Sequence, residues 1–369
     1  LKFNSRKYRE ILCAEFPDFI CKYLSLEILV RLKGIGLLCG TDWTALFKNK
    51  FFYSRFEHSV NCALIVWNFT RDKKQTLAAL LHDVSTPAFS HAIDFKNGDA
   101  LTQTSTESAN AKMLREDTKL ARLLAQDNLT VSDVDDYHAY PICDNEIPQL
   151  SADRLEYMFP SGAALQGIFS LRSVRYFYED LTLAQNEFGQ SEFAFRTKKI
   201  ALEYFLSCLK VGKILHRDED KITMELLARV VEKALRCGAL FENELFELSE
   251  KEIIARWDKM LFEHAQSATQ DLRDFLVHYK TFRTMKKIRR SQSALPNHFC
   301  VNLEVKRRYI NPLVLAQEGK AGNEQLTKKI EGLRSKRICD ISERASRLQK
   351  EFLSFHDAPF GCVKLRKSL

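Results

Sequence analysis

Along most of the chain, apolar residues return every three or four positions, the repeat of a helix with one buried face. "SEKEIIARWDKMLFEHA" opens with Ser249 and Glu252 spaced as a capping box, and Ile253, Ile254, Trp257 and Leu261 fall on one stripe. "FRTKKIALEYFLSCLKVGKIL" and "KITMELLARVVEKALRCGAL" keep the same period, the second stopping at Gly238. Only 13 Gly and 8 Pro punctuate 369 residues, which favours long helices over many short strands. Polar stretches at 96–105 and 138–148 read as loops.

The pattern changes near residue 295. "HFCVNLEVKRRYI" contains alternation, "PFGCVKLRK" offers a second strand to pair with it, and 324–354 between them is a charged helical segment. The expected fold is therefore mainly α: a helical body over residues 1–285, then a small basic α+β appendage over 286–369, with a soft boundary at 280–295. No internal repeat is visible.

Composition narrows the class. With 45% hydrophobic and 28% charged residues the chain reads as globular, and no apolar run reaches membrane-spanning length. The opening "LKFNSRKYRE" has no signal-peptide core. Ten cysteines occur singly, without a C-x-x-C pair, so free thiols in a reducing cytoplasm are expected. The net charge of +8 is uneven: from Arg283 to Arg308, eight Lys or Arg face one acid, Glu304. That segment suits weak nucleic-acid binding, or packing and assembly, or is simply a solvated basic face.

"AALLHDVSTPAFSHAIDF" carries the chemistry. Its apolar run ends on His82 beside Asp83, and a carboxylate in a helical core needs a cation. Imidazole and carboxylate together ligate borderline divalent metals. "SRFEHSV" adds His58 and "LSADRLEYMF" adds Asp153, each at the start of an apolar-periodic helix. Singly, such a His reads as core and such an Asp as a helix cap; as a set they read as ligands.

With "LVRLKGIG", these segments make residues 31–159 resemble the HD superfamily of metal-dependent phosphohydrolases, in its deoxynucleoside-triphosphate triphosphohydrolase-like branch. Weaker similarity continues at "VKRRYINPLV". The resemblance implies an all-helical HD core at about 31–160, one divalent ion held by His58, His82, Asp83 and Asp153, and a homo-oligomer. Two imidazoles and two carboxylates favour Mn, Fe, Co, Ni or Zn over Mg. It further implies catalytic roles for His91 and Asp94, the latter acting as base through water, and substrate contacts by Arg55, Arg154 and Tyr157.

The chain departs from the branch at "HDVSTPAFSH". Thr86 stands where a catalytic His is expected and Ser85 replaces Gly; Thr106, before Glu107, replaces a second His, and Ser161 replaces an acid. Threonine does not shuttle protons near neutral pH as imidazole does. The expected activity is metal-dependent hydrolysis of phosphate esters of nucleotides, with triphosphate release slowed. A catalytically impaired protein that binds or senses nucleotides stands as the alternative.

Overall fold

The computed structural model describes residues 3–263, 269–315 and 335–366. Helix Arg55–Thr70 forms the centre. Ser54 and Glu57 close a capping box at its start, and every residue from His58 to Val66 is buried. A helix enclosed on all sides must be apolar all round, which explains "VNCALIV". Helices Lys73–Leu81 and Ala152–Leu165 pack directly on it, so three helices meet where their ends carry His58, His82 and Asp153. Helix Asp218–Arg236 lies against both Ala92–Lys96 and Gln270–Thr284. None of the described helices is long and apolar enough to cross a membrane.

The predicted strand pair is present. Strands β3 (Arg289–Ser291), β4 (His298–Val301) and β7 (Phe360–Lys364) form an antiparallel sheet in the order β3-β7-β4. Its register sets Cys300 opposite Cys362, and these two form a disulfide. This corrects the expectation of ten free thiols: cysteines 62 residues apart in sequence become neighbours once the strands pair. The other eight are unpaired.

A second sheet has no counterpart among the expectations. Hairpin β1 (Leu181–Gln185) and β2 (Ser191–Phe195) is extended by β5 (Leu313–Leu315), parallel to β2, and then β6 (Ser335–Arg337). Arg337 clamps it from the C-terminal side, donating to fully buried Glu192 at 2.5 and 2.8 Å. The expected charged helix appears as Glu343–Leu353, while 324–334 lies outside the described residues.

Alternation in "HFCVNLEVKRRYI" makes a strand only as far as Val301. Residues 302–312 continue as an irregular run across the helical body, held by Lys306 N–H on the Ala100 carbonyl (3.2 Å) and Asn311 N–H on the Pro148 carbonyl (2.8 Å). Gly212 allows this close approach, because a Cβ there would strike the Arg308 carbonyl oxygen.

Candidate metal centre

Four side chains converge where the three helices meet. His58 Nε2 lies 3.2 Å from His82 Nε2 and 2.9 Å from Asp153 Oδ1, with 3.6 Å between His82 Nε2 and Asp153 Oδ1. Asp83 Oδ2 stands 3.8 Å from His58 Nε2 and 3.7 Å from His82 Nε2. Metal–ligand bonds of about 2.1 Å place neighbouring donors roughly 3.0–3.4 Å apart. The observed spacings bracket that range.

The outer ring nitrogens explain why both inner ones face the same point. His82 Nδ1 donates to the Ala79 carbonyl at 2.7 Å, and His58 Nδ1 meets Glu156 Oε2 at 2.5 Å. With Nδ1–H held by an acceptor on each ring, both Nε2 lone pairs are left for one shared cation. Asp153 and Glu156 lie three residues apart on one helix face and so grip opposite nitrogens of His58. Glu156 is fully buried and also accepts from the Tyr53 hydroxyl at 2.5 Å.

The electrostatics point the same way. Burial opposes protonation of His58, yet Cys62, Asp153 and Glu156 outweigh it and push the imidazole well up. His82 is likewise raised, with burial overcome by Asp83 and Asp153. Burial opposes ionisation of Asp83, but Arg55, His82 and His58 pull it well below the usual carboxylate range. A concentration of acceptors this strong draws positive charge, and the donor set fits a divalent metal. Cys62 sits beside the His58 ring, its Sγ 3.6 Å from Nδ1, and shares the same donor group with His58, His82 and Asp153. Burial pushes its thiol up, and it contacts the Ala152 carbonyl. Asp83 is turned partly away: Arg55 Nη1 donates to both its oxygens, at 2.9 and 2.8 Å, and Thr86 Oγ1 to one, at 3.0 Å.

A cleft surrounds this centre in two lobes, both lined by Arg55, His91, Asp153, Tyr157, Lys306 and Arg308. Backbone geometry in "PAFSH" points His91 into it, with Phe89 and Ser90 at φ 68° and 52°. Bulky residues rarely adopt positive φ, so packing must hold the turn. Glu250 does so by accepting from Phe89 N–H at 3.0 Å, while Arg31 donates to the Val84 and Thr86 carbonyls.

The structure brings His58, His82, Asp83 and Asp153 together, with His91 and Tyr157 on the cleft wall. Arg55 reaches the wall too, but two-pronged contact with Asp83 and a bond to Ser90 Oγ (2.9 Å) occupy much of its guanidinium. Arg154 also lines one lobe of the cleft, and it is tied to Asp144, Asn145 and the Gln149 carbonyl, bracing the loop before its helix. Asp94 is fully buried behind His91, 2.9 Å from its Nδ1, and accepts from Ser105 Oγ at 2.5 Å. His91 lines the cleft, whereas Asp94 does not.

Sequence reasoning missed Glu156, Lys306 and Arg308 as site residues. Glu156 is signalled by its three-residue spacing from Asp153. In "VKRRY" the extended chain turns Lys306 and Arg308 to the cleft and Arg307 the other way, onto the Phe352 and Phe355 carbonyls. Arg308 also lies over the Tyr157 ring, 5.6 Å from its centroid.

This geometry describes a helical protein with a buried His/Asp centre fit for a metal. Over 150 residues the chain is 32% identical to the metal-dependent phosphohydrolase cns2 of Cordyceps militaris; that stretch is 41% of this chain and 41% of the relative's length. No family model matches. In fold, it is similar to a phosphohydrolase from Bacteroides thetaiotaomicron (TM-score 0.57, 13% identity, 95% of this chain and 97% of that one). It is also similar to a hypothetical protein from Aquifex aeolicus (TM-score 0.60, 15% identity, 95% and 92%).

Proposed function

We propose that this chain is an HD-type, metal-dependent phosphohydrolase acting on phosphate esters of nucleotides. The observation that carries the reading is the pair of imidazole Nε2 atoms 3.2 Å apart, both outer nitrogens engaged, beside Asp153 and Asp83 at the floor of a cationic cleft. A divalent ion held by His58, His82, Asp83 and Asp153 supplies Lewis-acid polarisation of a phosphoryl oxygen and lowers the pKa of a water.

The chain's own residues do the remaining work. Arg308 and Lys306 hold non-bridging phosphate oxygens, and Arg55 adds charge from the base of the cleft. Tyr157 supports Arg308 from below. Asp94 holds the Nδ1–H of His91, leaving Nε2 to take a proton from the attacking water. Burial, reinforced by Arg308 and Arg55, outweighs Asp94 and keeps His91 on the neutral side of the ordinary imidazole range. As water adds to phosphorus and the ester P–O bond breaks, the proton taken up by His91 Nε2 passes to the leaving oxygen, which departs as the alcohol.

Thr86 and Thr106 line the lobe beside Asp83 and His82 and provide hydroxyls where proton shuttles would be needed for rapid triphosphate release. A panel of nucleoside mono- and triphosphates with Mn, with products read by mass, tests the reading. Metal-dependent phosphate release with slow triphosphate release is expected, and triphosphate release should rise in Thr86→His. Rapid triphosphate release by the unmodified protein refutes the handicap; tight nucleotide binding without any turnover favours a sensor.

A further inference from the structure

Beyond the metal donors, one lobe of the cleft is walled by Leu37, Leu38, Phe95, Leu165, Leu215 and Met224. It shares Arg55, His91 and Asp153 with the phosphate end, so a substrate anchored there by phosphate extends its organic portion between these walls. One carboxylate also lines this apolar space: Asp220, in the first turn of helix Asp218–Arg236.

Its neighbours in that turn are satisfied. Asp218 pairs with Arg290 at 3.3 Å and accepts from Ala358 N–H, and Glu219 pairs with Arg290 at 2.8 Å. Asp220 accepts no side-chain hydrogen bond and forms no ion pair among the described residues, and its backbone N–H donates to the Arg217 carbonyl. Burial pushes its carboxyl up to about 7, with Arg308 opposing. Asp220 is half-buried and its carboxylate oxygens remain reachable from the lobe, so it presents an open acceptor to whatever fills that space.

We propose that Asp220 determines specificity in this lobe by accepting a hydrogen bond from a neutral donor on the nucleoside portion of the substrate. A sugar hydroxyl and a base N–H share that chemistry. The inference rests on the nucleotide-phosphohydrolase reading and deepens it.

Equilibrium binding to the whole chain tests this without turnover. Calorimetry with Mn present would use adenosine, guanosine, cytidine and uridine, the 2′-deoxy and deamino forms of the tightest binder, and inorganic phosphate as probe of the metal end. Asp220→Ala should weaken the tightest nucleoside by about 10-fold or more, and Asp220→Asn by less. One donor-deleted analogue should bind the unmodified protein as weakly and lose little more in Asp220→Ala. Loss with the 2′-deoxy form assigns the donor to the sugar; loss with the deamino form assigns it to the base. If phosphate binds and no nucleoside does, or if both variants and all analogues match the parent pair, this inference is overturned while the phosphohydrolase reading stands. If neither phosphate nor nucleoside binds, both fall.

Discussion

Glu156→Gln tests the metal centre without touching a donor atom. The side chain keeps its size at a fully buried site, and its amide oxygen can still accept from Tyr53. The amide NH2 then faces His58 Nδ1, where a carboxylate oxygen stood at 2.5 Å. To meet it, Nδ1 must give up its hydrogen, and the proton moves to Nε2, pointing at the shared cation position. Turning the amide over does not escape the problem, because its NH2 would then meet a Tyr53 hydroxyl that already accepts from Asn61 at 2.6 Å. Partners of this kind are typically worth about 10–100-fold in metal affinity, or roughly 1.4–2.7 kcal/mol. Loss of the charged hydrogen bond should also cost about 1.5–3 kcal/mol of stability, seen as a melting temperature lower by several degrees. Calorimetric titration of Mn or Zn into metal-free protein, with circular dichroism to verify folding, measures both. A folded variant with metal affinity within about twofold of the parent would refute the argument that Glu156 sets the His58 tautomer.

Four further outcomes are expected. Asp94→Asn should lower kcat by about 10²–10⁴ with KM little changed, because the His91 tautomer is lost; an unchanged kcat would show that His91 is not the proton acceptor. With Mn held saturating at every pH, the acid limb of kcat in the unmodified protein should lie below the ordinary imidazole value, since His91 is shifted down and stays an acceptor to lower pH; a limb at or above about pH 6.5 under metal saturation would contradict this. Arg308→Ala should raise KM for a phosphate ester by roughly 10-fold or more, and nucleic-acid binding should be weak and insensitive to Arg290→Ala or Arg307→Ala, because those residues are committed to Glu219, Asp357 and backbone carbonyls; tight binding abolished by these changes would make the basic segment a nucleic-acid site.

The helices were readable because their apolar period is long and repeated, as in Asp218–Arg236, and the convergence of His58, His82, Asp83 and Asp153 because each sits in a short contiguous pattern. Pairing of β4 with β7 was readable from alternation at both ends. Hairpin β1–β2 was not, since two five-residue strands joined by a turn around Asn186 and Gly189 give little periodic signal inside a helical body. The division of labour inside the site also depends on tertiary structure. Asp94 looks like a base in sequence, and only the folded chain places it fully buried behind His91, in contact with Nδ1. Lys306 and Arg308 stood out as charge, but their destination depends on a run that crosses the body and settles against Ala100 and Gly212.

The most direct test of the metal centre is elemental analysis of the purified protein beside Asp153→Ala, with phosphate release from a nucleotide panel followed in the same samples. Asp153 contributes the donor 2.9 Å from His58 Nε2 at the start of a helix that Ser151 still caps, so the variant should fold. The account predicts about one divalent ion per chain and metal-dependent phosphate release in the parent, with both lost in Asp153→Ala. Stoichiometric metal retained by the folded variant would contradict it.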